Sequence, residues 1–189
     1  MAGSERMKNI LISQMRKHLA PYKKVLEIGV ATGGFAVPLS KRVKKVYACD
    51  FSKALLEKGK QGVLEKNLVH IDFQVQDPYN LLYENEEFDV VIISNCLYRV
   101  KEPEQLLREA RRVLKNEGVL IAPGYVLASS KLEQTIWKLY HNTLEDRCYH
   151  VWSGLTYRGL FESCQFQIIQ SGLINAPLKM QYLVAKKIL

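Results

Sequence analysis

The chain predicts an α/β fold: a doubly wound, mostly parallel seven-stranded sheet with helices on both faces and an antiparallel hairpin at its C-terminal end. Three observations point there. Short aliphatic and β-branched runs alternate with helix-length segments through the first two thirds of the chain, and right-handed crossovers turn that order into a parallel sheet. The first run, Lys24-Val-Leu-Glu-Ile28, passes directly into the small residues Gly29-Val-Ala-Thr-Gly-Gly34, as a strand does when it turns sharply into a helix. The last two runs, Phe166-Gln-Ile-Ile-Gln170 and Gln181-Tyr-Leu-Val-Ala185, are separated only by a turn region with Pro177, so they are expected to close on each other as antiparallel neighbours.

Taken in order, Met7, Ile10, Leu11, Met15 and Leu19 recur at helical spacing before Pro21 and predict an amphipathic N-terminal helix packed on the core. Strand one covers 24–29 and leads to a helix near 34–41. Strand two, 45–50, ends in Asp50 and precedes a helix that Ser52 can cap and that runs to about Asn67. Strands three and four fall at 71–76 and 88–94. Pro103 suits the first turn of the next helix, with Glu102 and Glu104 at its positive end. Strand five, 118–122, stops at Pro123-Gly124, and a short helix over 155–164 precedes the hairpin. A chain of 189 residues, 48% hydrophobic, is long enough for one domain with a sizeable core. Within it the expected parts are an N-terminal helix (1–20), a core (21–124), a connecting segment (125–153) and a C-terminal helix with hairpin (154–189).

Composition narrows the function classes. No apolar run reaches membrane-spanning length, and Met1-Ala-Gly-Ser-Glu-Arg6 lacks the order of a secretory signal, so a cytoplasmic protein is expected. Cys49, Cys96, Cys148 and Cys164 have no metal or redox spacing, and His18, His70, His141 and His150 form no close pair; free thiols and no metal are expected. Net charge is +8, from 27 basic and 19 acidic residues. The cluster Lys41-Arg42-Val-Lys-Lys45 sits in a connecting turn, and Arg108, Arg111, Arg112 and Lys115 sit at a helix end, where cations complement the helix dipole. The charge permits nucleic-acid binding without calling for it.

In a parallel sheet, ligands bind at the carboxyl ends of the strands, where Gly29, Asp50, Asp77 and Asn95 all fall. Gly29 allows the sharp exit from strand one, Ala31 and Gly33 let the backbone approach a ligand, and Gly34 is expected to keep the next helix against the sheet. Asp50, about twenty residues after Gly29, is placed to take both hydroxyls of a ribose. Glu27 stands on the strand itself, where an apolar residue is usual and a carboxylate needs a cationic or hydrogen-bonding partner.

The run Glu27-x-Gly29-x-Ala31-x-Gly33 with Asp50 resembles the first two motifs of the class I S-adenosylmethionine-dependent methyltransferases, with Ala31 at the usual middle glycine. Residues 71–78 resemble that family's third strand and its adenine-contacting acid, here Asp77 after Gln76. Glu87–Val100 resembles the fourth strand with its functional loop, and Glu109–Ile121 the helix, turn and fifth strand. The resemblance implies the Rossmann-like methyltransferase fold, S-adenosyl-L-methionine as cofactor and S-adenosyl-L-homocysteine as product. It implies cofactor contacts from Glu27, Gly29, Ala31, Thr32, Gly33, Asp50, Phe51, Gln76, Asp77 and Asn95. Many relatives carry a histidine after the fourth strand; this chain reads Asn95-Cys-Leu-Tyr98-Arg99 instead. Tyr98, His141 and His150 are therefore the alternatives for a base.

The segment Tyr125–Ser153 is not demanded by the sheet and is rich in aromatics and histidines, Trp137, Tyr140, His141, Tyr149, His150 and Trp152 among them. It is expected to cap the acceptor site, with Arg99, Trp137 and Tyr149 as candidate acceptor contacts. Without an appended recognition domain, a small-molecule acceptor is the expectation. An RNA methyltransferase or a subunit of one, and a non-catalytic protein that binds the cofactor, are the alternatives. Oligomeric state is left open.

Overall fold

A computed structural model describes residues 2–64, 70–127, 135, 147–175 and 179–188. Helix α1 (Ala2–Arg16) is followed by β1 (Lys24–Ile28), α2 (Ala36–Ser40), β2 (Lys45–Asp50), α3 (Lys53–Leu64), β3 (Ile71–Val75) and β4 (Phe88–Ile93). A 3-10 turn (Leu97–Arg99), α4 (Pro103–Val113), β5 (Leu114–Ile121), β6 (Gly124–Tyr125), α5 (Gly154–Ser163), β7 (Phe166–Ile174) and β8 (Met180–Lys187) complete the order. The sheet runs β3-β2-β1-β4-β5-β8, with β7 on the far side of β8. The first five strands are parallel, and β8 inserts antiparallel between β5 and β7. The expected doubly wound sheet with an antiparallel C-terminal pair is the fold observed.

Among the described residues hydrogen bonding gives eight strands where the sequence predicts seven, because one strand line is interrupted. Leu120↔Ala185, Ile121↔Val184, Gly124↔Gln181 and Tyr125↔Met180 keep one register along β8, so β5 and β6 are a single line broken where Pro123 has no N–H to give. Strand β5 also starts earlier than 118. Leu114 pairs with Phe88 directly after α4, and the register shifts before Val119 meets Val90, so the expected turn is a bulge within the strand.

Each face of the sheet carries one apolar cluster. Leu11, Ile12 and Met15 of α1 join Val25, Val46, Val90 and Tyr182 on one face; Leu106, Leu107 and Ala110 of α4 and Tyr157 and Phe161 of α5 join Leu26, Val91 and Ile93 on the other. The stripe of α1 differs from expectation by one position: Ile10 is 37% exposed and Ile12 is buried, since Ile12 lies beside Leu11 and Met15 on the inward arc. Helix α3 is capped as expected, the Leu55 N–H donating to Ser52 Oγ at 3.4 Å, and Pro103 opens α4. Among the described residues no helix is long and apolar enough to cross a membrane.

Candidate functional site

The chain leaves β1 through three residues of positive φ, Gly29 (77°), Ala31 (48°) and Gly33 (87°). A Cβ on Gly29 would lie 2.8 Å from both Cβ and Sγ of Cys96, so this position is closed to any side chain by β4's continuation as well as by backbone conformation. Helix-to-sheet packing is set at Gly33, where a Cβ would meet Val37 at 3.3 Å and Phe73 at 3.5 Å; around Gly34 nothing lies within 4 Å. The expectation for Gly34 is thus corrected to Gly33, because the turn 31–35 delays α2 and directs Gly34 to solvent. Ala31 occupies a left-handed conformation that costs a non-glycine residue about 1–2 kcal/mol.

Asp50 holds that conformation in place. Its Oδ2 accepts the Ala31 N–H at 2.9 Å and its Oδ1 the Ser52 N–H at 2.9 Å, leaving each oxygen capacity for another donor. Glu27 is 1% exposed. Ser94 Oγ donates to its Oε1 at 2.5 Å, and its Oε2 has no hydrogen-bond partner. Burial pushes the Glu27 carboxyl up to about 7; the Ser94 hydroxyl and the Ala36 backbone pull it partly back, and the charge of Asp50 adds to the rise.

Above this floor lies a cavity of about 180 Å³, lined by Ile28, Gly29, Ala31, Cys49, Asp50, Phe51, Gln76, Pro78, Ser94, Asn95, Cys96, Tyr98, Arg99 and Val100. A more open depression adjoins it, sharing Phe51, Gln76, Pro78, Arg99 and Val100 and adding Val75, Asp77, Tyr79, Lys101 and Tyr149. Phe51 is 56% exposed, an aromatic face at the junction of the two. Gln76 is buried; its Oε1 accepts the Leu82 N–H and its Nε2 donates to Gln74 Oε1. Asp77 is exposed and accepts the Tyr79 N–H at 2.9 Å. Asn95, at φ 51°, accepts the Tyr125 N–H on its Oδ1, tying the end of β4 to β6. Thr32 is exposed and lines neither space. Gly33 is buried and lines neither space.

On the other side, the Tyr98 carbonyl accepts backbone N–H groups from Tyr149 (2.8 Å) and His150 (3.2 Å). This brings the stretch 147–153 against the 3-10 turn. Tyr149 faces the open depression, with Lys101 Nζ 6.0 Å from its ring centre. His150 lines neither space: its Nε2 lies 3.0 Å from the Lys101 carbonyl oxygen, and its ring stacks on Trp152 at 5.2 Å. Trp137 and His141 lie outside the described residues.

The structure adds Ser94, Cys49, Cys96 and Val100 to the site. Ser94 was discoverable: Glu27 demands a partner, and the residue ending strand four on the neighbouring line is the nearest polar choice. Cys96 had no such signal, since its closeness to Gly29 is a product of strand register.

The sequence profile described as a methyltransferase domain matches residues 26–122, the stretch from β1 to the end of β5. A demethylmenaquinone methyltransferase of Bacillus mycoides is 29% identical over 84% of this chain and 73% of its own length; other proteins of that name match over shorter spans, one of them over less than half of its length. The YcgJ protein of Bacillus subtilis shares the fold with a TM-score of 0.82 at 16% identity, over 95% of this chain and 98% of the other. A SAM-dependent methyltransferase of Aquifex aeolicus does so with a TM-score of 0.74 at 16% identity, over 94% and 89%.

Proposed function

This chain belongs to the class I S-adenosylmethionine-dependent methyltransferases, and on that premise we propose that it methylates a small organic acceptor bound beside Tyr98 and Arg99. The similarity over most of the chain to a protein named for a small acceptor, demethylmenaquinone, carries this reading.

The residues present fit the cofactor. Glu27 keeps a buried oxygen without a partner, Asp50 keeps acceptor capacity, and the positive-φ loop exposes backbone where bulk is excluded. When bound, S-adenosylmethionine supplies a methyl group activated on a sulfonium and becomes S-adenosylhomocysteine. Asp50 would take the ribose hydroxyls. Phe51, Gln76 and Asp77 would border the adenine, while Glu27, Ser94, Ala31 and Asn95 would surround the methionine end. Tyr98, Arg99 and Tyr149 would face the acceptor, with residues 125–153 as its cap, and their main task is to hold it in line for attack. A base is needed only where the acceptor must lose a proton. Tyr98 is the candidate in the cavity wall; His150 could act only by leaving the Lys101 carbonyl, and His141 completes the set. The free thiols fit a reaction in the cytoplasm.

Transfer from methyl-labelled cofactor into a fractionated cell extract tests the proposal, with demethylated isoprenoid quinols as the first pure acceptors. Label is expected in the small-molecule fraction. Net charge +8 motivates the RNA alternative, and label retained on a discrete RNA at physiological salt would establish it in place of the proposal.

A further inference from the structure

We propose that Glu27 and Ser94 form a proton-exchanging pair at the floor of the cofactor pocket. Glu27 is protonated in the free protein; when the ammonium group of a ligand settles beside it, its O–H bond breaks, the proton leaves to solvent and the carboxylate pairs with the ammonium. The inference rests on the cofactor family and is independent of which acceptor is used.

The arrangement of neighbours supports it. Glu27 sits mid-sheet between β2 and β4, paired with Ala48 and Ile92, and is almost wholly out of water. From β2 it is faced by the Asp50 carboxylate and the Cys49 thiol, from the end of β4 by Ser94 and the Cys96 thiol, and from α2 by the Ala36 N–H. None of these is a cation. Arg99 lines the cavity, but among the described residues no cation forms a salt bridge with Glu27. A carboxylate desolvated without a counter-charge takes up a proton. The Asp50 charge disfavours ionisation further, consistent with a carboxyl displaced to about 7 by burial.

Ser94 is the partner that serves both states. A hydroxyl donates to a carboxylate and accepts from a carboxylic acid, so the 2.5 Å contact survives the change of charge, where a lysine would favour the ionised state. Glu27 does not itself line the cavity; its unpartnered Oε2 keeps acceptor capacity for an N–H that reaches it. Because Ser94 itself lines the cavity, it also connects the buried acid to the ligand space. Ser94 is a positioning residue here.

Calorimetric titration with S-adenosylhomocysteine, in buffers of different ionisation enthalpy, counts the protons released. With a midpoint near 7, release approaches one proton per ligand at pH 6 and falls to roughly a tenth at pH 8, and apparent affinity rises about tenfold over that range. Glu27→Gln is expected to abolish both the release and the pH dependence. Ser94→Ala should keep the release but move its midpoint upward, since the carboxylate loses its donor. An infrared titration of the free protein supplies a reading without ligand: a protonated-carboxyl band lost near pH 7, and missing from Glu27→Gln. Equal proton release in wild type and Glu27→Gln, or no such band in the free protein at pH 6, overturns the proposal. A ligand that fails to bind while the band titrates as expected would fault the cofactor assignment and leave the protonated Glu27 standing.

Discussion

The two edges of the parallel sheet carry the same chemical groups and treat them oppositely. Where the strands begin, carboxylates meet lysines: Glu87 is 3.4 Å from Lys24, Asp72 is 3.1 Å from Lys45 and Asp89 is 2.8 Å from Lys115. Where the strands end, neither Glu27 nor Asp50 has a salt-bridge partner among the described residues, and hydroxyl and backbone donors hold them instead. For Asp89 burial raises the carboxyl, but the Lys115 hydrogen bond and the Lys24 backbone outweigh it and hold the group below its ordinary value. For Glu27 burial wins. The paired edge is satisfied within the chain, whereas the unpaired edge keeps carboxylate oxygens with acceptor capacity to spare.

The largest expected effect breaks the ligand edge outright. Gly29→Val places a Cβ where Cys96 already stands, at a positive φ, and should cost about 3 kcal/mol or more in urea unfolding, with loss of S-adenosylhomocysteine binding. A wild-type-like midpoint would mean that the loop tolerates displacement. Glu27→Gln should act in the opposite direction. The unfolded carboxyl titrates near 4.5 and the folded one near 7, so wild-type stability falls as pH rises from about 4.5 to about 7 and stays lower beyond. Removing the group should therefore stabilise the protein by about 3 kcal/mol at pH 8 and by under about 1 kcal/mol at pH 5; equal effects at both pH values would place the titration elsewhere.

Asp50→Ala should weaken S-adenosylhomocysteine binding by roughly 1.5–3 kcal/mol through lost charge-assisted bonds, and it also frees the Ala31 N–H that fixes the loop. Calorimetry separates this from folding when thermal midpoints are compared. Tyr149→Ala and Tyr98→Phe probe the acceptor side: turnover should fall by about tenfold with cofactor affinity nearly unchanged, the sign of contacts made to the acceptor. Unaltered turnover in both would return these rings to packing. At the opposite edge Lys115→Ala should cost under about 1 kcal/mol, less still at high salt, because its ammonium is partly in water. A larger loss would show that the paired edge carries stability as well as solubility.

Much of this was legible in local sequence. Strand positions, the Ser52 cap, the Pro103 helix start and the order of acids along one edge all follow from residues near one another in the chain. The misplacements have a common cause. Ile10 and Ile12 differ by which arc of α1 meets the sheet, and Gly33 and Gly34 by where Phe73 lies; each depends on a neighbour tens of positions away. His150 is a histidine in a suggestive segment, yet its ring nitrogen is held by Lys101 and its face by Trp152, contacts that no spacing rule contains.

By itself the sequence determined the strand and helix order, the glycine-rich exit from β1 and the presence of a carboxylate on a buried strand, because periodicity, backbone preference and residue type act over a few positions. Tertiary structure alone decided that Cys96 closes the space above Gly29, that Asp50 ties down Ala31, and that Glu27 receives a hydroxyl and, among the described residues, no ion-pair partner. Those outcomes depend on lateral strand register and on the removal of water from between elements. Only when β1, β2 and β4 lie side by side does the carboxylate lose its solvent.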